Sequence, residues 1–101
     1  MGTLDNSDIR LFNMRFHVYN QKPYYLELKS KSGQHWYVYK EDEDIIILLH
    51  KHKSPEKYHV HYVFDSVPNC LSEIMQHERY LEKRNKLREK ICGDRQIEII
   101  L

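Results

Sequence analysis

The amino-acid sequence predicts an α+β fold, in which an antiparallel meander of about five strands is followed by one long C-terminal helix and a short final strand. Up to Phe64, short segments rich in β-branched and aromatic residues alternate with turn residues, whereas beyond it apolar residues recur at helical spacing. A chain of 101 residues with only 3 Gly and 3 Pro suits a single ordered domain with one modest core. We therefore expect residues 1–101 to form one domain, with residues 1–8 as a polar leader.

Five segments have the composition of strands, and turn residues separate them. The predicted strands are 9–19, 24–29, 35–40, 45–52 and 58–64. The first of these, IRLFNMRFHVY, alternates only partly between apolar and polar residues, but its aromatic content still favours a strand.

The long helix is predicted from its capping residues and from its apolar period. Asp65 and Ser66 are typical N-cap residues, and Pro68 suits a first helical turn. Gly93 is typical of a helix C-terminus, and QIEIIL after it resembles a short strand. The residues expected to cover the sheet follow at helical spacing and are Val67, Leu71, Ile74 and Leu81.

Composition excludes several protein classes. The longest purely apolar run is 45–49, so no segment is expected to span a membrane. The N-terminus, MGTLDNSD, lacks the charged and apolar regions of a signal peptide. Cys70 and Cys92 are too few for a disulfide framework, so we expect lone thiols in a cytoplasmic protein.

Histidine is the unusual residue, since the chain holds seven, and four of them form two H-x-H pairs. His50 pairs with His52, and His59 with His61; residues two apart on a strand share a face. A four-residue loop over 54–57, built around Pro55, would set His52 opposite His59 and His50 opposite His61. The sequence therefore predicts one solvent-facing surface with all four histidines.

The opposite surface of this hairpin is the one expected to meet the helix. It would contain mainly apolar and aromatic side chains, namely those of Ile45, Ile47, Leu49, Tyr58, Val60, Tyr62 and Phe64. The three remaining histidines, His17, His35 and His77, are isolated in the sequence and are expected to be ordinary surface or half-buried residues.

The four paired histidines have two chemical uses. Neutral imidazoles bind zinc and other transition metals such as manganese, and they also act as general acids and bases near neutral pH. His50, His52, His59 and His61 are therefore candidate metal ligands and candidate catalytic residues. The alternative is a partly exposed strand surface with no function.

His59-Val60-His61 resembles the metal-binding motif of the single-strand DNA nicking and replication-initiator nucleases. Tyr80-Leu81-Glu82-Lys83 is similar to the Y-x-x-K helix of the same enzymes. This resemblance implies that a metal held by the histidines polarises a phosphate while Tyr80 attacks the phosphorus as nucleophile.

A longer stretch, from Tyr25 to Leu81, resembles the TumE-type toxins of bacterial toxin–antitoxin systems. The shared order is a strand, a glycine turn, an aromatic strand, His50-x-His52, a Tyr62-x-Phe64 strand and a capped helix. The Tyr-Asp-Asn stretch of that family is not evident here. The resemblance implies a growth inhibitor that binds an antitoxin and acts on RNA through His50 and His52.

The second half of the predicted helix is strongly basic. Residues 79–90 include six basic and two acidic side chains. Four of the basic residues fall on one side of the helix, namely Arg79, Lys83, Lys86 and Lys90. This basic stripe could bind the phosphates of RNA or single-stranded DNA. The alternative is a solvated helix surface whose glutamates pair with the neighbouring bases.

Tyr80, Leu87 and Ile91 form a second apolar group, turned away from the sheet-facing one. Either the helix breaks near Arg84, or this group meets the final strand or another chain, as a protein partner or homodimer contact.

Two classes of function remain open, together with the nicking nuclease. The first is a nucleic-acid-directed accessory protein of a bacterial or mobile-element system, acting as a toxin-type ribonuclease through its histidines. The second is a non-catalytic interaction module, an inhibitor or assembly subunit, that uses Tyr80, Leu87 and Ile91.

Overall fold

The computed structural model describes residues 2–95, with side chains to residue 90. Its elements are α1 (Asn6–Arg15), β1 (His17–Lys22), β2 (Tyr25–Lys29), β3 (His35–Asp42), β4 (Ile45–Lys51), β5 (His59–Phe64) and α2 (Val67–Arg95). The five strands pair antiparallel in the order β1-β2-β3-β4-β5. The predicted α+β meander followed by a long helix is confirmed, with an additional helix at the N-terminus. Neither described helix is long and apolar enough to cross a membrane.

Helix α1 occupies most of the segment in which we expected the first strand. Asp5 caps it by accepting a hydrogen bond from the backbone N–H of Asp8 at 2.9 Å. Ile9, Phe12 and Phe16 follow at spacings of three and four, so they lie on one side of a helix, and Phe12 is fully buried. The prediction of a strand over 9–19 is therefore wrong up to Arg15, because the helical period outweighs the aromatic content.

Both helices pack on one face of the sheet, and this face contains the core. Its fully buried sheet side chains are Leu26, Leu28, Trp36, Val38, Ile46 and Leu48. On β4 the core residues are thus Ile46 and Leu48, followed by His50, and not the set Ile45, Ile47 and Leu49 that we expected. Strand β4 is apolar on both faces, so the hydrophobic pattern alone could not decide which face the helices cover.

Helix α2 is packed over its first half only. The expected covering residues Val67, Leu71, Ile74 and Leu81 are all buried, whereas residues 82–90 are all exposed. The helix continues without a break past Arg84 and past Gly93 to Arg95, so neither ends it. The predicted final strand lies outside the described residues.

The β4–β5 hairpin has a different register from the predicted one. His50 lies opposite His59, and Leu49 opposite Val60, but Leu48 lies opposite Tyr62. His61 is therefore the extra residue of a β-bulge. The predicted pairs, His52 with His59 and His50 with His61, are wrong because the chain turns back after Lys51 and the bulge absorbs one residue.

A candidate histidine site

Five histidines converge at one end of the helix-covered face, and we call them the histidine cluster: His50, His52, His59, His61 and His77. The ring centroid of His50 lies 4.7 Å from that of His52 and 5.3 Å from that of His59. It lies 5.8 Å from that of His61 and 5.4 Å from that of His77. The four histidines of the H-x-H pairs do share one side of the hairpin, but that side faces the helices.

The bulge explains how β5 contributes both histidines and core residues to the same side. His59 is on the side of His50, its cross-strand partner, and His61 contacts the Trp36 ring at 5.4 Å. The extra residue shifts the alternation by one, so that Phe64 also packs against the core and Tyr62 contacts Phe64 at 5.0 Å. Without the bulge, the histidines and Phe64 would lie on opposite faces of the strand.

His50 is the centre of the cluster and is only 3% exposed. Its Nε2 atom donates a hydrogen bond to Oε1 of Gln34, at the start of β3. Burial, together with the four neighbouring imidazoles, lowers the pKa of His50 to about 4. His50 is therefore neutral near neutral pH and contacts the four other rings of the cluster.

His77 reaches the cluster from α2 and contacts both Trp36 and His61. Its ring centroid is 5.1 Å from that of Trp36 and 6.0 Å from that of His61. Burial lowers the pKa of His77, and a charge on His61 would lower it further. The buried Nδ1 of His77 and Nε1 of Trp36 have no hydrogen-bond partner among the described residues.

Glu73, one turn earlier on α2, supplies the carboxylate of the site. Its Oε1 atom lies 3.3 Å from Nε2 of His61, and both side chains are partly accessible to solvent. A carboxylate in this position orients the imidazole and selects its tautomer. The site thus contains a His–Glu pair next to the buried His50 and the half-buried His77.

His52 and His59 form the solvent-facing side of the cluster, and both are exposed. Their ring centroids are 6.5 Å apart. The loop next to these two histidines contains two exposed lysines, Lys53 and Lys57. Chemically, the arrangement offers several imidazoles that can exchange protons with a ligand at the surface, next to positive charge.

The predicted zinc or manganese site finds no support in this geometry. Within the part of the chain that the structure describes, no group of three or more His, Cys, Asp or Glu residues is arranged to hold a metal ion. His50 in particular already donates a hydrogen bond to Gln34. Its ring also packs against that of Trp36, with centroids 4.3 Å apart.

Sequence reasoning missed His77 and Glu73, although a signal for His77 existed. Cys70, Ile74, His77 and Leu81 follow at spacings of four, three and four, so His77 belongs to the sheet-facing stripe of α2. His35 and His17 are outside the cluster; His35 is on the other face, where its Nδ1 lies 3.1 Å from the Tyr19 hydroxyl.

The predicted residues of the second half of α2 lie apart from the core. The basic stripe of Arg79, Lys83, Lys86 and Lys90 is exposed, and Lys86 pairs with Glu82 at 3.1 Å. Tyr80 and Leu87 are also exposed, and no ring contact joins Tyr80 to the histidine cluster. The side chain of Ile91 lies outside the described ones.

Comparison with known proteins adds no identification. No protein-family model, no curated protein and no solved structure matches the chain. The resemblances to TumE-type toxins and to nicking nucleases therefore remain predictions from short motifs.

Proposed function

We propose that this protein is a small nucleic-acid-directed accessory protein that cleaves RNA by proton transfer at the histidine cluster. The observation that supports this most directly is that the exposed His52 and His59 contact the same His50 ring as His61, which pairs with Glu73. Five imidazoles at one position are more than a small core needs, and imidazole is the side chain best suited to transfer protons near neutral pH.

The reaction needs only the RNA and two imidazoles in opposite protonation states. A neutral imidazole removes the proton of a ribose 2′-hydroxyl, and the 2′-oxygen forms a bond to the adjacent phosphorus. The bond from phosphorus to the 5′-oxygen breaks, and a protonated imidazole gives that oxygen its proton. The products are a 2′,3′-cyclic phosphate and a 5′-hydroxyl, so no water or oxidant is consumed in this step.

Within this scheme the residues have distinct roles. His52 and His59 exchange protons with the substrate because they are exposed, and His61 does so while Glu73 orients it. His50 and His77 are positioning residues because they are held within the cluster. Glu73 is also a positioning residue, since it acts through His61.

Positive charge near the cluster supports a polyanionic substrate. Lys53 and Lys57 extend from the loop beside His52 and His59. Further basic side chains follow on α2 over about 20 Å from His77 to Lys90, at 1.5 Å of rise for each residue, on the side of the helix turned away from the sheet. An RNA that extends beyond the cluster and bends around the helix can contact them through its phosphates.

The test is cleavage of a fluorescently labelled single-stranded RNA by the full chain. We expect cleavage in the presence of EDTA, with a 2′,3′-cyclic phosphate at the new end and no reaction on the matching DNA, which lacks the 2′-hydroxyl. The double variant His59→Ala/His61→Ala should lose activity by about 100-fold or more, as expected when acid–base groups are removed.

His17→Ala is the matched control, because His17 is an exposed histidine of the same sheet outside the cluster. Its activity should equal that of the wild type. Full activity in the double variant, or activity that disappears with EDTA and returns with metal, would contradict the proposed mechanism.

A non-catalytic interaction module is the second candidate, and the exposed half of α2 favours it. Leu87 is 59% exposed on a helical segment that packs on nothing in the described part of the chain. Such a segment suits an antitoxin or another protein partner. A protein without ribonuclease activity whose complex with a partner is abolished by Leu87→Asp would support this function instead.

A further inference from the structure

The second face of the sheet is covered by neither described helix. Both helices contact each other and the core on the opposite face. We call this second surface the open face; three cross-strand rows define it, Lys22-Tyr25-Tyr39-Ile47-Val63, Asn20-Glu27-Tyr37-Leu49-Val60 and His17-Lys29-His35-Lys51. Across β2 to β5 the first two rows are aromatic or aliphatic except for Glu27, and Val63 at the edge is 50% exposed. Apolar side chains grouped on an uncovered face are typical of interaction sites.

The tyrosines of the open face are already packed against each other. The rings of Tyr25 and Tyr37 stack with centroids 4.7 Å apart, and Tyr58 contacts Tyr37 at 5.5 Å. The hydroxyl groups of Tyr58 and Tyr19 donate to the Glu27 carboxylate at 2.9 and 3.2 Å. Since these ring faces contact one another and a carboxylate lies among them, the surface suits a flat protein partner better than stacked nucleic-acid bases.

Charge is distributed unequally along the strands of the open face. Lys29 and Lys51 lie at one end, on either side of His35. The other end is acidic, with Glu41 and Asp42 at the end of β3 and Glu43 and Asp44 in the turn to β4, although Lys22 of β1 also lies at this end. Two copies can face each other through their open faces, related by a two-fold axis that lies between the sheets and runs perpendicular to the strands. This axis reverses the strand direction, so the basic end of each copy lies over the acidic end of the other. The surface is therefore complementary to itself.

We infer that the open face binds a second copy of this chain, so that two sheets pack face to face in an antiparallel arrangement. Five strands at about 4.8 Å spacing and about 20 Å length give each copy roughly 500 Å² of planar contact. Two such surfaces bury about 1,000 Å², the lower limit of specific interfaces. The tyrosines and valines form the interface centre, and the charged ends select the orientation. This dimer leaves the histidine cluster on the outer side and does not depend on ribonuclease activity.

The experiment is sedimentation equilibrium of the full chain, with Val63→Glu as the disruptive variant. We expect the wild type to have twice the chain mass of 12.4 kDa and Val63→Glu to sediment as a monomer. Tyr62→Glu is the matched control, since Tyr62 is the preceding residue of β5, is 62% exposed and contacts Phe64 on the helix side. This variant should remain a dimer, and circular dichroism should confirm that all three proteins are folded.

A charge exchange tests the orientation. Lys51→Glu and Asp44→Lys should each weaken the dimer, whereas the protein with both substitutions should recover it, because the axis sets each end of β4 over the opposite end of β4 in the other copy. Leu87→Asp should leave the dimer intact, which separates this interface from one formed by α2.

Three results would overturn the inference. One is a wild-type monomer at high protein concentration, and another is a dimer that Val63→Glu does not weaken. The third is a monomer that binds single-stranded RNA through the open face and loses that binding with Val63→Glu, because the surface would then belong to nucleic acid.

Discussion

The imidazole of His50 lies against the indole of Trp36, with ring centroids 4.3 Å apart and planes inclined by 38°. Both side chains are buried, and His50 is hydrogen-bonded to the side chain of Gln34. A histidine in this position resists protonation, because the charged form would lose its hydration and would face four other imidazoles. Protonation of His50 therefore destabilises the folded chain.

We expect the free energy of unfolding to decrease as the pH is lowered, because His50 takes up a proton on unfolding. Its pKa is about 4 in the folded chain and about 6.5 when unfolded, so the unfolded chain binds the extra proton first. The stabilisation is complete above about pH 6.5 and is lost as the pH falls towards 4; at pH 5 the loss is about 2 kcal/mol. Urea denaturation monitored by Trp36 fluorescence at neutral pH and at pH 5 measures this difference.

His50→Gln tests the assignment of this pH dependence. The variant lacks a titratable group at the position, so its free energy of unfolding should change less between the two pH values. His17→Gln should retain the dependence of the wild type, since His17 is exposed on β1. An unchanged dependence in His50→Gln would assign the effect to other groups.

The two halves of α2 should respond differently to truncation of apolar side chains. Ile74→Ala opens a cavity in the core and should lower the free energy of unfolding by about 2–5 kcal/mol. Leu87→Ala removes an exposed side chain from a helix, so its effect should stay within about 0.5 kcal/mol. If chemical denaturation gave the same loss of unfolding free energy for both variants, Leu87 would be packed against another group in solution.

Glu73→Gln should impair the proposed RNA cleavage without unfolding the protein. The amide oxygen can still accept a hydrogen bond from His61 at this position, but the negative charge that stabilises a positive imidazole during proton transfer is lost. We expect a fall in cleavage rate of about tenfold or more, together with a changed pH–rate profile. Glu82→Gln, an exposed substitution on the same helix, is the control; a wild-type profile in Glu73→Gln would remove Glu73 from the mechanism.

The β2–β3 turn depends on the backbone conformation of Gly33. Its φ is +87°, and a Cβ atom there would meet nothing within 4 Å. Gly33→Ala should therefore cost about 1–2 kcal/mol through backbone strain alone. Gly33→Asn should cost less, because asparagine tolerates this conformation better, and thermal melts of both variants measure the difference. A larger loss in the asparagine variant would point to a steric cause.

The repeated strand and turn composition predicted the five-stranded meander, and helical spacing predicted the buried side of α2. Both signals are local, since each depends on residues within a few positions of one another. The side of β4 that joins the core is not a local property, because Ile46 and Leu48 are as apolar as Ile47 and Leu49. The choice depends on which face α1 and α2 cover.

The site was predictable in part. The H-x-H spacing correctly placed His50, His52, His59 and His61 on one side of the hairpin. His77 and Glu73 come from a distant helix, so only the packing of α2 on the sheet brings them to this position. The bulge at His61 has no sequence pattern of its own.

The bulge also limits how this protein can evolve. Substitution of His61 changes the site while the strand keeps its alignment. Deletion of any one residue of β5 that removes the bulge would transfer either the histidines or Phe64 to the open face, so this strand tolerates a changed side chain better than a changed length.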